Sequence, residues 1–82
     1  MSIVGKVRDH ILANYLFTDD PGALVDTRSF MEEGILDSTG IMGVILFVEE
    51  EFGFPVDDEE MIPENLDSVD NLVAFIRRKQ SA

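Results

Sequence analysis

Apolar residues recur at helical spacing in three stretches of the chain. Over residues 3–17, Ile3, Val7, Ile11 and Leu12 fall at i, i+4 and i+8/i+9, and Tyr15 and Leu16 extend the stripe. Lys6, Arg8, Asp9, His10 and Asn14 lie off it, and Asp19-Asp20-Pro21-Gly22 stops the helix. Over residues 39–52, Ile41, Val44, Ile45, Val48 and Phe52 make one face, with Asp37-Ser38-Thr39 as a start signal and Gly53 followed by Pro55 as the stop. Near the C-terminus Val69, Leu72, Val73 and Ile76 form a third stripe beside Phe75. Asp67 and Ser68 both read as N-caps there, and Arg77, Arg78 and Lys79 complete the last turn, where cations suit the helix dipole. Pro63 limits the segment before it to about one helical turn. Residues 18–37 carry only the isolated pairs Leu24-Val25 and Phe30-Met31. A structureless loop of that length is unusual in a small domain, so it hides a short turn or has a function, and Phe30 is its core anchor. The pattern predicts an all-α fold: a small four-helix bundle of three main helices and one short one, with a long first loop.

Composition sets the class. With 82 residues the chain is one domain, 1–82, and its 45% hydrophobic share supports a packed core. Seventeen Asp+Glu against six Lys+Arg give a net charge of −11, which excludes a general nucleic-acid binder and disfavours an anionic membrane surface. The chain has no cysteine and one histidine, so disulfides, thiolate catalysis and Cys- or His-based metal sites are excluded. The longest apolar run, Val44-Ile45-Leu46-Phe47-Val48, is far short of the roughly 20 residues that span a bilayer. No signal segment is visible, and the expected compartment is the cytoplasm.

Two obvious chemistries fail on the residues. A nucleophilic Ser38 would need a base and an oxyanion site; His10 is the single candidate base, on another helix, and Leu36-Asp37-Ser38-Thr39-Gly40 lacks the first glycine of a hydrolase elbow. The acidic run Asp57-Asp58-Glu59-Glu60 is contiguous, without the alternating oxygens and central glycine of a calcium loop. No catalytic and no metal-binding residue is assigned. Glu49-Glu50-Glu51 sits at the C-terminal end of a helix, against the dipole, and so needs a reason other than helix stability.

The arrangement as a whole is more specific than any one motif. A long loop carrying Phe30 ends in Gly34-Ile35-Leu36-Asp37-Ser38; a helix starts at that serine and ends in Glu49-Glu50-Glu51-Phe52-Gly53; an acidic stretch and a final helix follow. This resembles the acyl carrier protein family, which includes carriers of aminoacyl groups, over essentially the whole chain. The resemblance implies a carrier, not an enzyme. Ser38 would hold a covalent 4′-phosphopantetheine arm taken from coenzyme A, and Asp37 would serve recognition by the phosphopantetheinyl transferase as well as capping the helix. The arm's thiol would carry an acyl or aminoacyl thioester, which supplies the thiol that a cysteine-free chain lacks. Implied partners are that transferase, a loading ligase, and downstream acyltransferases or synthases that meet a monomeric carrier.

The chain departs from the fatty-acid carriers of that family. Thr39 follows the serine where leucine is usual, and Gly40 and Gly43 stand where acidic residues are expected, on one stripe with Phe47. Glu49 and Glu50 match the later acidic positions. Thr39, Gly40, Gly43, Phe47, Glu49 and Glu50 are therefore the candidate partner contacts, and the departures point to a specialised carrier. Two interior glycines cost about 1 kcal/mol each relative to alanine. Either a partner or the arm approaches the backbone there, or another segment of the same domain packs over it. His10 is read as a surface residue, and Met31, Met42 and Met61 as core packing in preference to an adaptable pocket. The rival to the carrier is an acidic helical adaptor without a prosthetic group.

Overall fold

The computed structural model describes residues 2–81, with Ser38 described through its main chain only. Four α-helices follow in order: α1 (Ile3–Ile11), α2 (Ser38–Phe52), α3 (Pro63–Leu66) and α4 (Val69–Ser81). There is no strand among the described residues. The Ser2 hydroxyl caps α1 by accepting the Gly5 N–H at 3.0 Å. Past Ile11 the same helix widens into a π-helical turn, Leu12–Leu16. It ends at Phe17, whose φ of 53° is left-handed, in place of the glycine usual at such an end. That side chain is 82% exposed, so no packing offsets the strained backbone. Gly53, with φ 74°, closes α2 by giving its N–H to the Glu49 carbonyl at 3.0 Å.

The core gathers the expected stripes. Val7, Ile11 and Leu12 meet Val44, Ile45 and Val48 of α2 and Val69, Leu72, Val73, Phe75 and Ile76 of α4 in one buried cluster. α1 and α3 both lie against α4. Among the described residues, no helix is long and apolar enough to cross a membrane, and no three His, Asp or Glu side chains come together as a metal site. Met31 and Met42 are not core: they are 51% and 57% exposed, while Met61 lies partly buried against the cluster.

The loop over 18–37 is built, not slack. It contains one short 3₁₀ turn, Pro21–Ala23, and it buries Leu24, Phe30 and Leu36. Two polar clasps hold it. Arg8 of α1 donates to the Leu24 carbonyl at 2.9 Å and the Pro21 carbonyl at 2.6 Å, and pairs with the Asp26 carboxylate. Asp67, just before α4, accepts from the Ser29 hydroxyl and, at 3.2 Å, from the Met31 N–H; its own carbonyl takes the Phe30 N–H at 2.7 Å. The two cap candidates therefore divide the work. Ser68 caps α4 by accepting the Asn71 N–H at 3.1 Å, and Asp67 fastens the loop. Beyond Phe30, the Ile35 and Leu36 N–H groups both return to the Phe30 carbonyl, at 2.9 and 3.4 Å, so the buried ring fixes the path into Asp37.

Removing the Asp67 carboxylate strands the part-buried Ser29 hydroxyl and frees the Met31 N–H on the loop. Asp67→Ala is expected to lose about 1–3 kcal/mol in urea unfolding, and Asp19→Ala, on the exposed part of the loop, less than about 0.5 kcal/mol.

Candidate functional site at the start of α2

Asp37 is the N-cap of α2. Its backbone is extended and its carboxylate accepts the Gly40 N–H at 2.8 Å. Ser38 is the first helical residue; its side chain lies outside the described residues. The residues on either side, Asp37 and Thr39, are exposed. By helix geometry the first N–H groups here have no intrahelical acceptor, which favours an anion.

The two glycines have a neighbour inside the same domain. The Tyr15 hydroxyl, carried on the π turn, donates to the Gly40 carbonyl at 3.1 Å. A Cβ on Gly43 would stand 2.5 Å from that hydroxyl oxygen, and one on Gly40 would meet Leu36 at 3.0 Å and the Tyr15 ring at 3.5 Å. The helix is therefore bare where the tyrosine lies on it. Phe47 continues this seam. The His10 ring stacks on it at 3.9 Å between centroids, and Lys6 pairs with Glu51 at 3.2 Å one turn further on. The pairs 15–43, 10–47 and 6–51 run in opposite senses along α1 and α2, so the helices cross this seam antiparallel.

His10 is thus half-buried, contrary to the expectation of a surface residue. Asn14 Nδ2 lies 3.3 Å from its Nδ1, and its buried Nε2 has no hydrogen-bond partner. Burial pushes its pKa below the ordinary value of 6.5. A depressed histidine pKa means that the unfolded chain binds more protons, so its contribution to stability is full above about pH 6.5 and is lost as pH falls through the folded value.

Each candidate contact on α2 has a distinct setting. Thr39 and Glu50 are exposed. Gly40, Gly43 and Phe47 are half-buried beneath α1's aromatic residues. Glu49 is half-buried as well, and its carboxylate accepts the Val56 N–H at 2.8 Å, tying the chain that leaves α2 back to the helix. With Glu51 in its pair with Lys6, two of the three clustered glutamates have structural partners. Met42 and Leu46, each 57% exposed, complete the outer face of α2 one and two turns past Ser38. Sequence reasoning missed Met42 as a surface residue, although its i+4 spacing from Ser38 carried the signal.

Beside Ser38 opens a groove of about 720 Å³, lined by Tyr15, Met31, Ile35, Leu36, Asp37 and Thr39 among others. Four of the six cations, Lys6, Arg8, Arg28 and Lys79, are held in ion pairs within the domain.

Two expected outcomes follow from the seam. Gly43→Ala should destabilise by about 1–3 kcal/mol through collision with the Tyr15 hydroxyl. In a Tyr15→Phe background the nearest remaining ring atom is 3.9 Å away, so the same change should be neutral or gain up to about 1 kcal/mol of helix propensity; thermal unfolding of the four proteins checks this. For His10, the stability difference between wild type and His10→Phe should move against the wild type as pH falls from 7 to 5. Urea titrations of both proteins at each pH measure it, and a difference independent of pH would contradict the assignment.

The chain is 38% identical over 80 residues to the acyl carrier protein of Thermosynechococcus vestitus, covering 98% of this chain and 94% of that one. It is 31% identical over 78 residues to the acyl carrier protein of Lactobacillus acidophilus, covering 95% and 92%. No protein-family model matches the chain, and no solved structure matches it significantly. With two relatives so matched over nearly their whole length, the chain belongs to the acyl carrier protein family.

Proposed function

We propose that this carrier works through a 4′-phosphopantetheine arm on Ser38, and that it serves a dedicated pathway in place of general fatty-acid synthesis. The observation that carries the first part is the position of Ser38: first residue of α2, after a capping aspartate and between two exposed neighbours, in a chain related to acyl carrier proteins throughout its length. The residues fit such an arm. The helix N-terminus favours a phosphodiester, and the adjoining groove leaves room for the group that follows it. When bound, the arm would supply the thiol that holds an acyl or aminoacyl group as a thioester.

The roles of the chain's own residues follow. Ser38 would receive the arm through its hydroxyl oxygen, with the nucleotide half of coenzyme A leaving and the serine proton passing to the transferase. Asp37 fixes where the helix begins and so where that hydroxyl is presented, and it is the first side chain a transferase meets. Catalysis belongs to the partners; the carrier is their substrate. Thr39, Met42, Leu46 and Glu50 form the face offered to them, apolar near Ser38 and acidic at the far end. The specialised role rests on that face. Where fatty-acid carriers of the family place acids, this chain has glycines covered by Tyr15, so docking close to the arm would depend on apolar contact more than on charge. The remaining acids steer basic enzymes from a distance, a rate effect that salt screens. The cytoplasm is the proposed compartment.

Incubation with coenzyme A and a broad-specificity phosphopantetheinyl transferase, followed by intact-protein mass spectrometry, tests the reading. Wild type should gain the mass of one arm and Ser38→Ala none. A folded, unmodified wild type that gains nothing with several transferases would sink the reading in favour of an acidic adaptor.

A further inference from the structure

We propose that the groove between the end of α1 and the loop into α2 is the resting site of the arm and of the first atoms of its cargo, which places the cargo on the outer, α1 side of α2 and not within the bundle core. This rests on Ser38 being the attachment site. Asp37 and Thr39, the exposed neighbours of that serine, line the groove. One wall is the Tyr15 ring, held in place by its hydrogen bond to Gly40. Met31, Ile35 and Leu36 of the loop line it as well. The lining is largely apolar, with the polar side chains of Asp37 and Thr39 on either side of the serine. That order matches a pantetheine arm, which has a phosphate at its attached end and a gem-dimethyl carbon just beyond it.

Three observations favour this occupant over a diffusible ligand. First, the volume of about 720 Å³ is within the range of small-molecule sites, but the groove is open and has no charged group deep within it, so it would hold a free ligand weakly. A tethered group needs little affinity, because its effective concentration at the groove is on the order of millimolar. Second, Met31 lines the groove yet is left 51% exposed, a long, adaptable apolar side chain outside the core cluster. Third, the inner side of α2 is already filled. Val44 and Val48 are buried in the cluster with Leu72, Phe75 and Ile76 of α4, so a cargo entering there would have to displace them.

The test uses the arm-bearing protein, made enzymatically and confirmed by mass, with isotope-edited NMR of the arm's methyl groups. The expected result is cross-peaks from the gem-dimethyl protons to the Tyr15 ring and to the Met31 methyl. They should be lost in Met31→Glu and kept in Met42→Glu, an equally exposed methionine outside the groove, with both variants folded and fully modified. The arm's thiol should also react more slowly with a maleimide in wild type than in Met31→Glu. An arm that is attached but shows no contact with Tyr15 or Met31, or contacts Val44 or Leu72 instead, overturns this proposal and leaves the carrier reading standing. A chain that gains no arm overturns both.

Discussion

The burial of Phe30 is the constraint on which the site depends. Its ring lies in the core midway along a segment with little regular structure, and the main chain on both sides is referred to it. The N–H reaches back to Asp67, and the carbonyl receives the two residues that lead into α2. A loop so placed must satisfy its polar backbone without a helix or sheet ladder. Arg8 and Asp67 do this from opposite sides, one spanning from α1 and the other from the entrance to α4. The first turn of α2 therefore inherits its position from three separate elements, and Ser38 is set by the tertiary fold as much as by its own helix.

The second organising contact is the seam between α1 and α2. It replaces charge with aromatic surface on a face that, by resemblance, carries acids in fatty-acid carriers. The glycines that look costly for a helix let Tyr15 lie against bare backbone and hydrogen-bond to it. His10 and Phe47 extend the contact, and the Lys6–Glu51 pair closes its far end. The chain's two longest acidic runs lie outside the glycine stretch, Glu49–Glu51 at the end of α2 and Asp57–Glu60 after it.

Much of this was legible in the sequence because it depends on spacing. The stripes of Ile11, Val44, Val48, Leu72 and Ile76 specify which helix faces meet, and Asp37-Ser38-Thr39 marks where α2 begins. Phe30 stood out as the one large aromatic group in a segment without periodicity. What was hidden depends on partners far away in the chain. Nothing near Arg8 or Asp67 says that they hold one loop, and the spacing of Leu12 to Leu16 gives no sign of a π turn. For Gly40 and Gly43 the sequence left two accounts open, since a bare helix surface looks the same whatever covers it; the position of Tyr15 accounts for both glycines. His10 looked like a surface residue because its polarity, read alone, outweighed its reach across to Phe47. Met31 and Met42 misled in the opposite way: apolar character argued for burial, and the geometry left both outside.

The composition turns the α1–α2 seam into an optical probe. The chain has one tyrosine and no tryptophan, and that tyrosine is the residue lying over Gly40 and Gly43. Near-ultraviolet absorbance at 280 nm, tyrosine fluorescence and the tyrosine band of the circular dichroism spectrum all arise from a single ring, whose hydroxyl is hydrogen-bonded at 3.1 Å to the backbone two residues past the serine. A change at that point of the molecule can thus be watched in the unlabelled native protein, without introducing a reporter.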